Sequence, residues 1–219
     1  MPCNLGYRSV AKARLAAPKP VTFESRQPAP EIDPELLERL GVSDPVFADW
    51  VRGLDPTALL EKALERAIEA VGPSGVELAI RGGELAARTT VRNDAERSRA
   101  RRAIDQVARR WQVEVLRVVA EVLDYEVSLS EEADGSLVIE GEKASGGDVR
   151  EWLRVSLDAR GEAVLRFEHF KSEAELDAEE DRFRALSRRL GVRIAGESRR
   201  EGSPIPAGAK HRHKGGGKN

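Results

Sequence analysis

Arg99, Arg102, Arg109, Arg110 and Arg117 are spaced so that, at the helical turn per residue, they fall within about 100° of arc on one face. Guanidinium groups aligned in this way suit carboxylates or phosphates, which they grip through bidentate hydrogen bonds. The first partner this predicts is an acidic protein surface. RNA or DNA is the second, although no aromatic residue shares that face to stack on bases. The plainer reading is a solvated face paired locally to Glu96, Asp105 or Glu114, or to the chain's own acidic stretch over 118–187.

A second basic group, Lys210, His211, Arg212, His213 and Lys214, precedes a glycine run. It offers low-salt contacts to nucleic acid or acidic surfaces, with two imidazoles for a weakly held soft metal; the alternative is a solubilising tail. His169, between Phe167 and Phe170 and beside Glu168, is either a general base or a ring lodged at a strand end. Glu173, Asp177 and Glu180 share a helix face, but acids early in a helix chiefly complement its dipole. Cys3 reads as a free thiol. Gly141, Gly146 and Gly147 connect two strands and open no helix, so they predict no phosphate cradle. No phosphate loop, dinucleotide fingerprint, zinc-protease motif or nucleophile elbow occurs, so no cofactor, metal site or catalytic residue is expected. The balance leans away from an enzyme, with a scattered active site left as an alternative.

These groups need a scaffold, and the composition can supply one. Of 219 residues, 40% are hydrophobic and 34% charged, with a net charge of −2. One cysteine excludes an intramolecular disulfide, and no uninterrupted apolar run is long enough for a membrane span. With no signal-like start, cytoplasmic residence is expected. The small net charge is a cancellation of blocks: +4 over 1–30, −7 over 31–80, +5 over 81–117, −11 over 118–187 and +7 over 188–219.

Three helices are predicted from repeated punctuation: Asp33-Pro34 to Gly41, Asp44-Pro45 to Gly53, and Asp55-Pro56 to Gly72. Alternation over Val76–Ile80 and Leu85–Val91 around Gly82-Gly83 predicts a hairpin. Asn93 with Glu96 caps a long helix over 94–123, with an apolar stripe of Ala100, Ile104, Val107, Ala108, Trp111, Val115, Val118 and Val122. Four strands in a meander follow, turning at Asp134-Gly135 and at Asp158–Gly161. A last helix opens at Ser172 and stops at Gly191, and Val192–Ile194 extends as a short strand.

The order predicts an α+β fold: a helical N-terminal part, a hairpin, and a long amphipathic helix packed on a mostly antiparallel sheet of four to six strands, then a C-terminal helix. The divisions are an extended arm bearing prolines over 1–30, a short helical segment over 31–72, an α+β body over 73–194 and a disordered basic tail over 195–219. The function expected is that of a non-enzymatic adaptor presenting the arginine face and basic tail to an acidic protein. A nucleic-acid accessory role is the alternative, and the oligomeric state is left open.

Overall fold

The computed structural model describes residues 6–14, 32–72, 76–81, 84–88, 94–144, 150–158, 162–192, 194 and 199–203. Cys3, Pro18, Pro20, Pro28, Pro30, the Gly82-Gly83 turn, the Asn93 cap and the Lys210–Lys214 cluster lie outside the described residues.

Helices α1 (Pro34–Ser43), α2 (Pro45–Gly53) and α3 (Thr57–Val71) follow the Asp-Pro punctuation. Asp33 accepts the Glu35 N–H at 3.0 Å, and Pro34 and Pro45 occupy the first helical positions, where a missing N–H costs nothing. The stops differ from expectation. Gly41 and Gly53 are helical, and only Gly72, at φ 84°, turns into the left-handed region. The first helix runs on because Asp44 ends it: its N–H bonds to the Leu40 carbonyl while its carboxylate accepts the Phe47 N–H of the next helix. In α3, Pro56 is the cap itself, and Asp55 accepts the Thr57 N–H.

Strands β2 (Glu77–Arg81) and β3 (Glu84–Arg88) form the expected hairpin as a sheet of their own. Leu78, Ile80 and Leu85 of the hairpin pack with Leu64 and Ala67 of α3 and Val107 of the long helix α4 (Asp94–Val122). The C-terminal half of α4 is apolar on more sides than a single stripe would be. Val113, Leu116, Val119 and Ala120 are buried together with Val115 and Val118, because this half lies between α3 and the main sheet. Its end is closed by Asp124, at φ 67°: the Asp124 and Tyr125 N–H groups return to the carbonyls of Glu121 and Ala120.

The predicted meander is β4 (Glu126–Glu131), β5 (Leu137–Ala144), β6 (Arg150–Leu157) and β7 (Glu162–Phe170). Helix α5 (Glu173–Arg189) starts where Ser172 accepts the Glu175 N–H at 3.2 Å. It packs Leu176, Phe183 and Leu186 onto the sheet, with the Phe183 ring edge-on to Phe167 at 5.6 Å. At its end Gly191 turns left-handed, and Val192 donates to the Ser187 carbonyl instead of extending as a strand. The chain is therefore α+β.

Two strands that the sequence reading did not predict lie within the terminal segments. Gly6–Arg14, grouped with an extended arm, is strand β1, paired along β7 from Arg14–Glu162 to Tyr7–Phe170. Arg199–Ser203, grouped with a disordered tail, is strand β8 against β1. The main sheet thus has six strands in the order β4-β5-β6-β7-β1-β8. The physical reason is backbone pairing. Without β1, strand β7 would expose a row of unpaired N–H and C=O groups, and a segment of almost any composition can satisfy it.

Candidate functional site

The five arginines of the predicted basic face divide into two groups. On the buried half of α4 they are engaged within the chain. Arg110 Nε meets Glu114 Oε1 at 3.1 Å, and Arg117 reaches Glu114 at 3.5 Å and Glu121 at 3.2 Å. Glu121 also receives Arg66 at 2.7 Å and Lys62 at 3.0 Å, both from α3. Burial opposes the charge on Glu121, but the hydrogen bonds from Arg66 and Lys62 outweigh it and hold the carboxyl below its ordinary range. Arg109 donates to the Gly135 carbonyl, tying α4 to the turn between β4 and β5. Arg99 and Arg102, on the outer half, are exposed and make no ion pair or hydrogen bond among the described residues. Arg101, which lies outside the predicted arc, is exposed and unengaged as well.

The acidic start of α5 serves the scaffold. Glu179, almost wholly buried, receives Lys143 of β5 at 3.0 Å and Arg182 at 3.2 Å. Arg182 continues to Asp44 at 2.7 Å, and Asp181 holds Arg39 of α1 at 2.9 Å. Burial acts against the Arg182 charge, and Glu179 and Asp44 more than restore it. Beside this chain of charges, burial, then the nearby Glu179 and Glu151, push the Tyr125 hydroxyl well above the ordinary phenol value. Glu173 is exposed, Asp177 half-buried and Glu180 buried, and no group of three His, Cys, Asp or Glu suited to a metal occurs among the described residues.

A second feature lies on the sheet face opposite α4 and α5. Antiparallel register places Glu142 of β5, Trp152 of β6 and Glu168 of β7 in one cross-strand row, with Glu126 of β4 at its end. Arg150 leans over the row, 2.8 Å from Glu142 and 3.9 Å from Glu126. His169 follows Glu168 where β7 carries an extra residue opposite β1: Tyr7 pairs with Phe170, but Ser9 pairs with Phe167. That bulge holds His169 at φ 69°, a conformation uncommon for a residue with a Cβ, and bulges re-aim side chains at the edges of sites. Its Nε2 is 4.0 Å from Glu168 Oε2. Glu142, Arg150, Trp152, Glu168 and His169 together line an open cavity of about 330 Å³.

His169 with Glu168 was legible as a candidate from neighbours in sequence, but Glu142, Arg150 and Trp152 were not. Glu142 and Trp152 join it only through strand register, and a register error of one residue would send them to the other face. Comparison of the chain with protein-family models, with curated proteins and with solved structures gives no match. No helix among the described residues is long and apolar enough to cross a membrane.

Proposed function

We propose that this chain is a non-enzymatic, cytoplasmic binding protein whose outer half of α4 presents Arg99 and Arg102 to an acidic surface on a protein partner. The observation that carries the reading is the division of the five arginines: Arg109, Arg110 and Arg117 are spent on Gly135, Glu114 and Glu121, and Arg99 and Arg102 are exposed and unengaged among the described residues. Exposed guanidinium groups three residues apart on one helix face have the geometry to take carboxylates in pairs. A protein partner is favoured over nucleic acid by two features. Residues 94–110 include no aromatic for base stacking, and Trp111 is committed to the Leu60 carbonyl at 3.1 Å. Val42, Val46 and Trp50, on α1 and α2, are large apolar side chains at the surface, the residue class that anchors protein interfaces.

The test is affinity capture from a lysate of the source organism at about 50 mM salt, with and without nuclease, where screening is weak. The full chain should retain a discrete protein that survives nuclease and is lost when Arg99 and Arg102 are both changed to Glu. Retention abolished by nuclease would replace this reading with the nucleic-acid one. Retention unaffected by the two substitutions would remove this face of α4 as the contact surface.

A further inference from the structure

We propose that the cavity on the open sheet face is a binding site for a small organic cation of the alkylammonium class, received on Trp152 between the carboxylates of Glu142 and Glu168. Neighbouring strands lie about 4.8 Å apart, so the backbones of Glu142 and Glu168 stand roughly 10 Å from each other, with Trp152 on the strand between them. A cation resting on an indole face gains from the ring quadrupole, and here also from a carboxylate on either side. The lining supplies two carboxylates against one guanidinium, which disfavours an anion. Its three potential ligands, Glu142, Glu168 and His169, are not among any group suited to hold a metal ion in the described residues. The cavity, about 330 Å³, is at the small end of ligand pockets and has room for a molecule of the size of choline.

Arg150 supports this assignment. It is exposed, yet it folds back onto Glu142 at 2.8 Å, so the site already holds a tethered cation at its Glu142 side. The Glu168 side is bounded by the half-exposed ring of His169, set there by the left-handed bulge. A residue kept in that conformation at a cavity wall is one whose side-chain direction the fold fixes at some cost. Arg150 thus acts as a built-in competitor, and a free cation enters by displacing it or by sharing the row with it.

The experiment is titration of the full-length chain with choline, followed by the indole N–H resonances and tryptophan fluorescence. The control ligand is choline's neutral isostere, in which a quaternary carbon replaces the nitrogen. Choline should saturate with a dissociation constant on the order of millimolar, and the isostere should bind at least about tenfold more weakly. Glu168→Gln, an isosteric change on a solvent face, should weaken choline binding by about fivefold, and Trp152→Leu by at least as much. Arg150→Gln should tighten it by about two- to fivefold, because the competitor is gone. Equal binding of choline and its isostere, unchanged binding in Trp152→Leu, or no saturation up to about 100 mM would each overturn the proposal. Binding to phosphatidylcholine vesicles in place of free choline would overturn its small-molecule form.

Discussion

Asp44 does three things with one side chain and one backbone N–H, and its replacement should show each separately. Its N–H ends α1 on the Leu40 carbonyl, Oδ1 caps α2 through the Phe47 N–H at 3.0 Å, and Oδ2 takes Arg182 at 2.7 Å. Substitution leaves the backbone bond intact, so two contributions remain. Loss of an N-cap carboxylate costs about 1 kcal/mol. The ion pair is intermediate: 23% of the Asp44 and 30% of the Arg182 side chain remain exposed, and Glu179 still pairs Arg182 when Asp44 is gone. No buried charge is stranded, so the cost lies near the upper end for exposed pairs, about 1 kcal/mol, and far below that of breaking a fully buried one. Asp44→Ala should therefore lose about 2 kcal/mol in urea unfolding, and Asp44→Ser, which keeps a capping oxygen, about half of that. Combining Asp44→Ala with Arg182→Ala should give a coupling of about 1 kcal/mol. If Ser and Ala at 44 are equally destabilising, the cap contributes nothing and the reasoning fails. If the coupling is zero, the link between α2 and α5 is only a proximity.

Two further changes probe the supports of the basic helix. Asp124→Gly should raise stability by about 0.5–1 kcal/mol by relieving a left-handed residue at the end of α4, and Asp124→Ala should lower it; the reverse order in urea melts would contradict that geometry. Glu121 has its carboxyl held below the ordinary value, so its contribution is complete above the unfolded-state pKa of about 4.3 and is lost as pH falls through the lower folded value. The stability gap between the native chain and Glu121→Gln should accordingly be steady near neutrality and narrow as pH falls below the unfolded-state value, and a gap that widens on acidification would refute the assignment.

What the sequence could disclose depended on whether a signal is carried by side chains along one segment. Asp-Pro starts, the Ser172 cap, the α4 stripe and the meander are of that kind, and each element stands where its residues predict it. Strands β1 and β8 are not. Arg199–Ser203 holds three charges, a glycine and a serine, and its place is decided by the free edge of β1, which in turn is decided by the edge of β7. The same distinction separates the arginines. Arg110 with Glu114 and Arg117 with Glu121 are four residues apart, so their pairing is legible as local helix chemistry. That Arg66 and Lys62 of α3 converge on the same Glu121, and that Arg109 is taken by a turn carbonyl, follows only from packing.

Packing also changes what the near-neutral total means. The acidic stretch over 118–187 does not meet the basic helix as a block. Glu121 closes the α3–α4 contact, Glu179 and Asp181 bind α5 to the sheet and to α1, and Glu140 and Glu132 are taken by Arg154 on the open face. Charges of both signs are consumed in holding layers together, at 2.7 to 3.2 Å in most of these pairs. Among the described residues, charge is left over at two places that bear on function. One is the outer turn of α4, where guanidinium groups face solvent. The other is the row around Trp152, where carboxylates outnumber the single arginine that leans on them. Charge left over after a fold has satisfied its own contacts remains available to something else. Here the two remainders are opposite in sign and belong to different elements, so they call for different ligands, an acidic surface at the helix and a small cation at the sheet.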